Sequence, residues 1–117
     1  MVSLLFTPEA DQEIDDIYDY SIVHWGVNGY IRYQDLLNRA FELIALNPEA
    51  PFVLKFPNLS AAIRGLPLWL VPQPDKSLRV KNPPHIIYYR IVDDSTVEIL
   101  RIFHKGMNRT AILNPKK

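Results

Sequence analysis

Cysteine is absent from all 117 residues. That excludes a disulfide framework, a thiolate metal site and a thiol nucleophile, and leaves nothing that points to an oxidising compartment. Glycine is scarce, at four residues, and no dinucleotide fingerprint, phosphate-binding loop or Gly-x-Ser-x-Gly elbow occurs. Of three histidines, His24 and His85 stand isolated, and no His, Asp and Glu fall at metal-ligand spacing, so neither a metal nor another cofactor is expected. No apolar run is long enough to cross a bilayer. Residues 1–6 carry no positive charge and their apolar run is cut by Thr7-Pro8, so they do not read as a signal peptide. The expectation is a soluble, cytoplasmic protein that does not engage a membrane.

What is present suffices for one core. Hydrophobic residues make up 48% of a chain too short for two cores, so residues 1–117 are expected to form a single domain. The net charge is zero, but acid and base are separated: residues 1–50 hold nine acids and two bases, residues 51–117 four acids and eleven bases. If the halves form distinct faces, the molecule carries an electrostatic dipole. The plainer reading is that the acids solvate the outside of a helix.

Ser3–Phe6 is a short apolar run that reads as a first strand. Thr7 then supplies an N-cap oxygen, Pro8 suits the first helical position, and Glu9 and Asp11 put negative charge in the first turn. Ala10, Ile14, Ile17, Tyr18, Ser21 and Trp25 recur at helical spacing, and Gly26 is placed to stop the helix. After Val27-Asn28-Gly29 a second stripe runs through Tyr33, Leu37, Ala40, Phe41 and Ile44 until Asn47-Pro48. Few residues separate the two helices, which predicts an antiparallel helical hairpin. The spacing of Tyr18, Trp25, Tyr33 and Phe41 predicts core packing rather than an aromatic platform.

Residues 48–58 read as loop and residues 61–71 as an irregular or edge strand carrying Arg64 and Trp69, the latter a candidate exposed contact. Prolines bracket residues 71–84, a long loop with room for a short strand at 77–80. Residues 85–92 and 96–103 are rich in Ile, Val, Tyr and Phe around the turn-prone Asp93-Asp94-Ser95, which makes a β-hairpin. Residues 107–113 read as a short helix or an extended tail. The fold class is thus α+β: an N-terminal strand and a helical hairpin packed on a mainly antiparallel four-stranded sheet, in the order βααβββ plus a C-terminal tail.

Four segments together resemble the RelE/ParE toxin superfamily, its ParE branch more closely. They are Thr7-Pro8-Glu9-Ala10 with Asp16-Ile17-Tyr18-Asp19-Tyr20; Trp25-Gly26; the run from Phe41 through Leu46 to Asn47-Pro48; and His85-Ile86-Ile87-Tyr88-Tyr89-Arg90 followed by residues 97–104 and Met107. Ile63-Arg64-Gly65 is similar to the segment that opens the family's second strand. The enlarged loop at 71–84 departs from the family pattern, so that either Arg64 or Arg79 corresponds to the family arginine.

The resemblance implies the toxin component of a type II toxin–antitoxin system: a plasmid-stabilisation or growth-inhibition protein neutralised by a cognate antitoxin, with a toxin–antitoxin heterotetramer as one assembly. A ParE-like member binds a macromolecular target, DNA gyrase, and is not an enzyme. A RelE-like member is a metal-independent endoribonuclease acting on messenger RNA at the ribosome. Such cleavage needs a base, an acid and cations around the phosphorus. Arg64, Arg79, Arg101, His104 and Lys105 are the residues that would supply them. Against that reading stand the absence of net charge, modest for a chain that docks on RNA, and a tail without tyrosine. On the ParE-like reading Arg64, Trp69, Arg79, Arg90, Arg101, His104, Lys105 and Arg109 are the candidate contacts to target or antitoxin. For Arg90 and Arg101 the competing expectation is an internal pair with Glu98 or with an acid of the first helix.

Overall fold

The computed structural model describes residues 1–50, 54–55, 63–107 and 113. Thr7 starts the helical part as its side chain predicts: its hydroxyl oxygen accepts the Ala10 N–H at 3.1 Å, with Pro8 in the first turn. The helix α1 spans Pro8–Leu46 and breaks at Gly26, whose φ of 71° lies in the left-handed region. The break folds the chain back on itself. Tyr18 meets Tyr30 edge to face at 5.1 Å, a contact between arms 8–25 and 27–46 that an unbroken helix could not make, and Phe6 of the first strand meets Phe41 of the second arm at the same distance. The turn is tighter than the sequence suggests, because helix resumes directly after Gly26 instead of after residues 27–29.

The hairpin lies on a sheet of strands β1 (Ser3–Phe6), β2 (Leu54–Lys55), β3 (Ile63–Pro67), β4 (His85–Asp93) and β5 (Thr96–His104), in the order β1-β5-β4-β3-β2. Only β1 runs parallel to its neighbour, β5; the other pairs are antiparallel. The two-residue β2 adds a fifth strand to the expected four. Residues 68–70 and 76–78 are single 3₁₀ turns, so Trp69 stands on a turn and not in a strand, and the short strand expected at 77–80 is not formed. Of the C-terminal segment expected as helix or tail, residues 108–112 lie outside the described residues.

Two apolar layers use the two faces of the sheet. On the helix side Tyr33, Leu36, Leu37, Ala40 and Ile44 pack with Leu66, Ile87, Tyr89, Val97, Ile99 and Ile102. On the other, Ile63, Ile86, Tyr88 and Phe103 form a smaller cluster with Leu100 and Leu113 against it. Covering both faces accounts for the nearly continuous apolarity of β4. In β5 the inward positions change phase, from Val97 and Ile99 to Ile102, because Leu100 is a bulge between the pairs Tyr89↔Ile99 and Tyr88↔Arg101. The carbonyl freed at Leu100 accepts the Thr7 hydroxyl at 2.6 Å. One threonine thereby caps α1 and ties it to the central strands.

Candidate functional site

The hairpin turn and the residues before β4 enclose a groove at one end of the sheet. One section, about 390 Å³, is lined by Asp16, Tyr20, Ser21, Trp25, Tyr33, His85 and His104 among others. The next, about 550 Å³, shares Trp25, Tyr33 and Pro84 with it and adds Arg32, Arg79, Val80 and Lys81. Both are of the size of small-molecule sites, about 300–1,000 Å³. A two-residue turn at Asp94-Ser95, counted outward along the hairpin, sets His85 opposite His104, and their rings meet edge to face at 6.0 Å. The Tyr33 hydroxyl lies 2.6 Å from His85 Nδ1. Burial and the neighbouring His104 push the His85 imidazole down to about 4, so it is neutral near pH 7. Burial raises Tyr33, which keeps its proton. We therefore assign the hydroxyl as donor and Nδ1 as acceptor, which puts the imidazole proton on Nε2.

The arginines singled out from the sequence are dispersed. Arg101 is gripped by Glu13 of the first arm, at 2.6 Å from Nη2 and 3.0 Å from Nε. The other Glu13 oxygen accepts the Ile102 N–H at 2.7 Å. Hydrogen bonding to Glu13 is the main reason the Arg101 guanidinium holds its proton more firmly than usual. Arg90 pairs with Glu98, its neighbour across β4 and β5, at 2.9 Å. Arg64 reaches Glu49 at 3.7 Å and is largely buried. For Arg90 and Arg101 the internal pairing weighed from the sequence is the arrangement found.

Of the remaining candidates two stand at the groove. His104 and Arg79 line it. The Lys105 N–H donates to the Pro84 carbonyl at 2.9 Å, continuing the hairpin past its last pair. Its ammonium lies 5.6 Å from the centre of the Trp69 ring. Arg109 lies outside the described residues. Among the described residues Arg32, Arg79, Lys81 and Lys105 make no salt bridge, and no three metal-binding side chains cluster.

Sequence reasoning missed Tyr20, Trp25, Tyr33, Arg32, Lys81 and His85 as groove residues. Tyr33 is buried as expected, but Trp25 is 58% exposed and corrects the expectation that it packs in the core. Helical periodicity reports which side of a helix is apolar, not how far the sheet beneath it extends. For His85 a signal existed in the register of the hairpin, which pairs it with His104.

The chain was then compared with known proteins. A family model described as the ParE toxin of type II toxin–antitoxin systems, parDE, matches residues 4–109. Toxin ParE1 of Caulobacter vibrioides is 29% identical over 109 residues, covering 89% of this chain and 90% of the relative. Toxin ParE1 of Mycobacterium tuberculosis is 22% identical over 104 residues, with the same two shares. A chain of the chromosomal ParDE system from P. aeruginosa has the same fold, with a TM-score of 0.59 at 21% identity over 89% of this chain and 96% of that one.

Proposed function

Because the chain belongs to the ParE toxin family of type II toxin–antitoxin systems, we propose that it arrests growth by binding a macromolecular target, DNA gyrase, and that a cognate antitoxin protein neutralises it. It acts in the cytoplasm as a single domain spanning residues 1–117, carries out no reaction of its own, and is stored as a toxin–antitoxin heterotetramer. No helix among the described residues is long and apolar enough to cross a membrane, in keeping with that location.

What favours a binding toxin over a ribonuclease is that two of the four candidate cations, Arg101 and Arg64, are taken up inside the domain, leaving Arg79 and Lys105 on separate stretches of chain. Cleavage of RNA without a metal needs cations free to meet the charge that builds on phosphorus. Arg101 is committed to Glu13 by two hydrogen bonds, and Arg64 is largely buried beside Glu49. The neutral His85 is in addition a weak proton donor near pH 7. What faces solvent instead is an aromatic groove lined by Arg79, Lys81 and His104, a surface suited to gripping a partner. The contacts proposed for target and antitoxin are accordingly Trp69, Arg79, His104 and Lys105, with Arg64, Arg90 and Arg101 holding the sheet that presents them. Arg109 stays a candidate on the family resemblance alone.

The purified toxin is expected to block gyrase supercoiling and to leave ribosome-bound messenger RNA intact, with supercoiling restored on adding the protein encoded beside it. RNA cleavage that disappears in His104→Ala would overturn this reading and establish the endoribonuclease.

A further inference from the structure

We propose that the groove between the hairpin turn and residues 79–84 binds a nucleotide, an aromatic base carrying a phosphate, and that this site is independent of which macromolecule the toxin attacks. Charge and ring surface are divided along the groove. Its wider section is lined by Arg32, Arg79 and Lys81, with no carboxylate among the lining residues. Three cations around one concavity repel one another and are best relieved by an anion with several acceptor oxygens, for which the guanidinium fork is shaped.

The narrower section has the opposite character. Tyr20, one face of which is stacked on His24 at 3.8 Å, and Trp25 stand edge to face at 5.3 Å along its wall, with exposures of 53% and 58%, and His104 lines the same section. Large rings left in water at a cavity wall offer flat apolar surface to another flat ring, and base stacking on such surfaces tolerates any base. Trp25 lines both sections, so a base can lie on the indole while its phosphate rests among the three cations. Asp16, the one acid lining the groove, sits in the ring section, away from those cations. An acidic peptide would call for cations spaced along the groove instead of collected at one end. The base-plus-phosphate chemistry comes either from a free nucleotide or from a nucleic-acid strand.

The test uses the Trp69→Phe protein, in which Trp25 is the sole indole and an aromatic ring stays beneath Lys105. AMP, GMP and UMP should quench Trp25 fluorescence saturably. The corresponding nucleosides should bind at least about tenfold more weakly for want of the phosphate. Changing Arg79→Ala together with Lys81→Ala, both exposed and outside helix and strand, should weaken the nucleotides by a similar factor of about ten. Trp25→Leu, followed by calorimetry, should abolish binding. A 5′-phosphorylated tetranucleotide that binds at least about tenfold tighter than the monomer assigns the source to a strand; equal or weaker binding assigns it to the free nucleotide. No saturable quenching by any nucleotide, affinity unchanged by the Arg79/Lys81 double substitution, or equal displacement by a poly-glutamate peptide would each overturn the proposal. Gyrase inhibition is scored separately, so that a failure here leaves the choice of target untouched and the reverse.

Discussion

Glu13 binds Arg101 through one carboxylate oxygen and the Ile102 N–H through the other. Glu13→Ala leaves a partly buried guanidinium and a strand amide without partners, and is expected to cost about 2–4 kcal/mol in urea unfolding. Arg101→Leu should cost less, because the remaining carboxylate still has the amide. The double variant should lose less than the two single losses combined, by about 1 kcal/mol or more. His85 gives a pH signature. Its folded-state value of about 4 lies below the ordinary 6.5, so the unfolded chain binds the extra proton more readily and stability rises with pH. This contribution is complete above about pH 6.5 and is lost as pH falls toward 4, amounting to roughly 2–3 kcal/mol. Asp16, Tyr33 and His104 face the same cavity, so the measurement to make is the stability gap between the parent protein and His85→Gln. That gap should shrink as pH falls through this window.

Among the elements, the hairpin turn depends on two glycines for different reasons. At Gly26 an added Cβ meets nothing within 4 Å, and the backbone, φ 71° with ψ −173°, alone penalises it; Gly26→Ala should cost about 1–3 kcal/mol. At Gly29 the same atom would fall 2.3 Å from the Trp25 Cβ, so Gly29→Ala must move backbone. It should destabilise more than Gly26→Ala and shift the Trp25 emission, which the first variant leaves alone. Thr7→Val keeps the shape but loses the cap and the bond to Leu100, an expected loss of about 1–2 kcal/mol by thermal unfolding. The capped start of α1, the β4–β5 hairpin and the breaks at Gly26 and Asn47-Pro48 were legible because each is decided by residues close together in sequence. The 71–84 segment was not. Its form depends on distant residues and on Gln73, whose side-chain amide bonds both the N–H and the carbonyl of Val80 and closes the loop on itself. The exposure of Trp25 was hidden for the related reason that an apolar stripe does not say where its support ends.

Across the whole molecule the segregation of charge has two uses. Glu13 and Glu49 of the acidic half pair with Arg101 and Arg64 of the basic half, so part of the imbalance fastens one half to the other. The rest stays on the surface, with Asp11, Asp15, Asp16 and Asp19 along the first arm and Arg79, Lys81 and Lys105 beyond its end. Binding of a 5′-phosphorylated tetranucleotide should therefore weaken as salt rises from about 50 to about 500 mM, and the dependence should flatten in Arg79→Ala with Lys81→Ala, measured by calorimetry. The groove was the least legible part of the candidate site. It joins residues near 20–33, 79–84 and 104 that no local pattern links, whereas His104, Lys105 and Arg79 stood out by residue type alone.

The parallel pairing of β1 with β5 also governs the order of events at synthesis. Ser3 has its partner at Thr96, so the first strand leaves the ribosome with nowhere to dock until residues 96–99 have followed. Shortened translation products that stop before β5 lack the ledge on which Thr7 and Phe6 rest. A chain cut short of residues 96–99 would thus leave its first strand without the neighbour it pairs with, so the folded sheet exists only once β5 has been made.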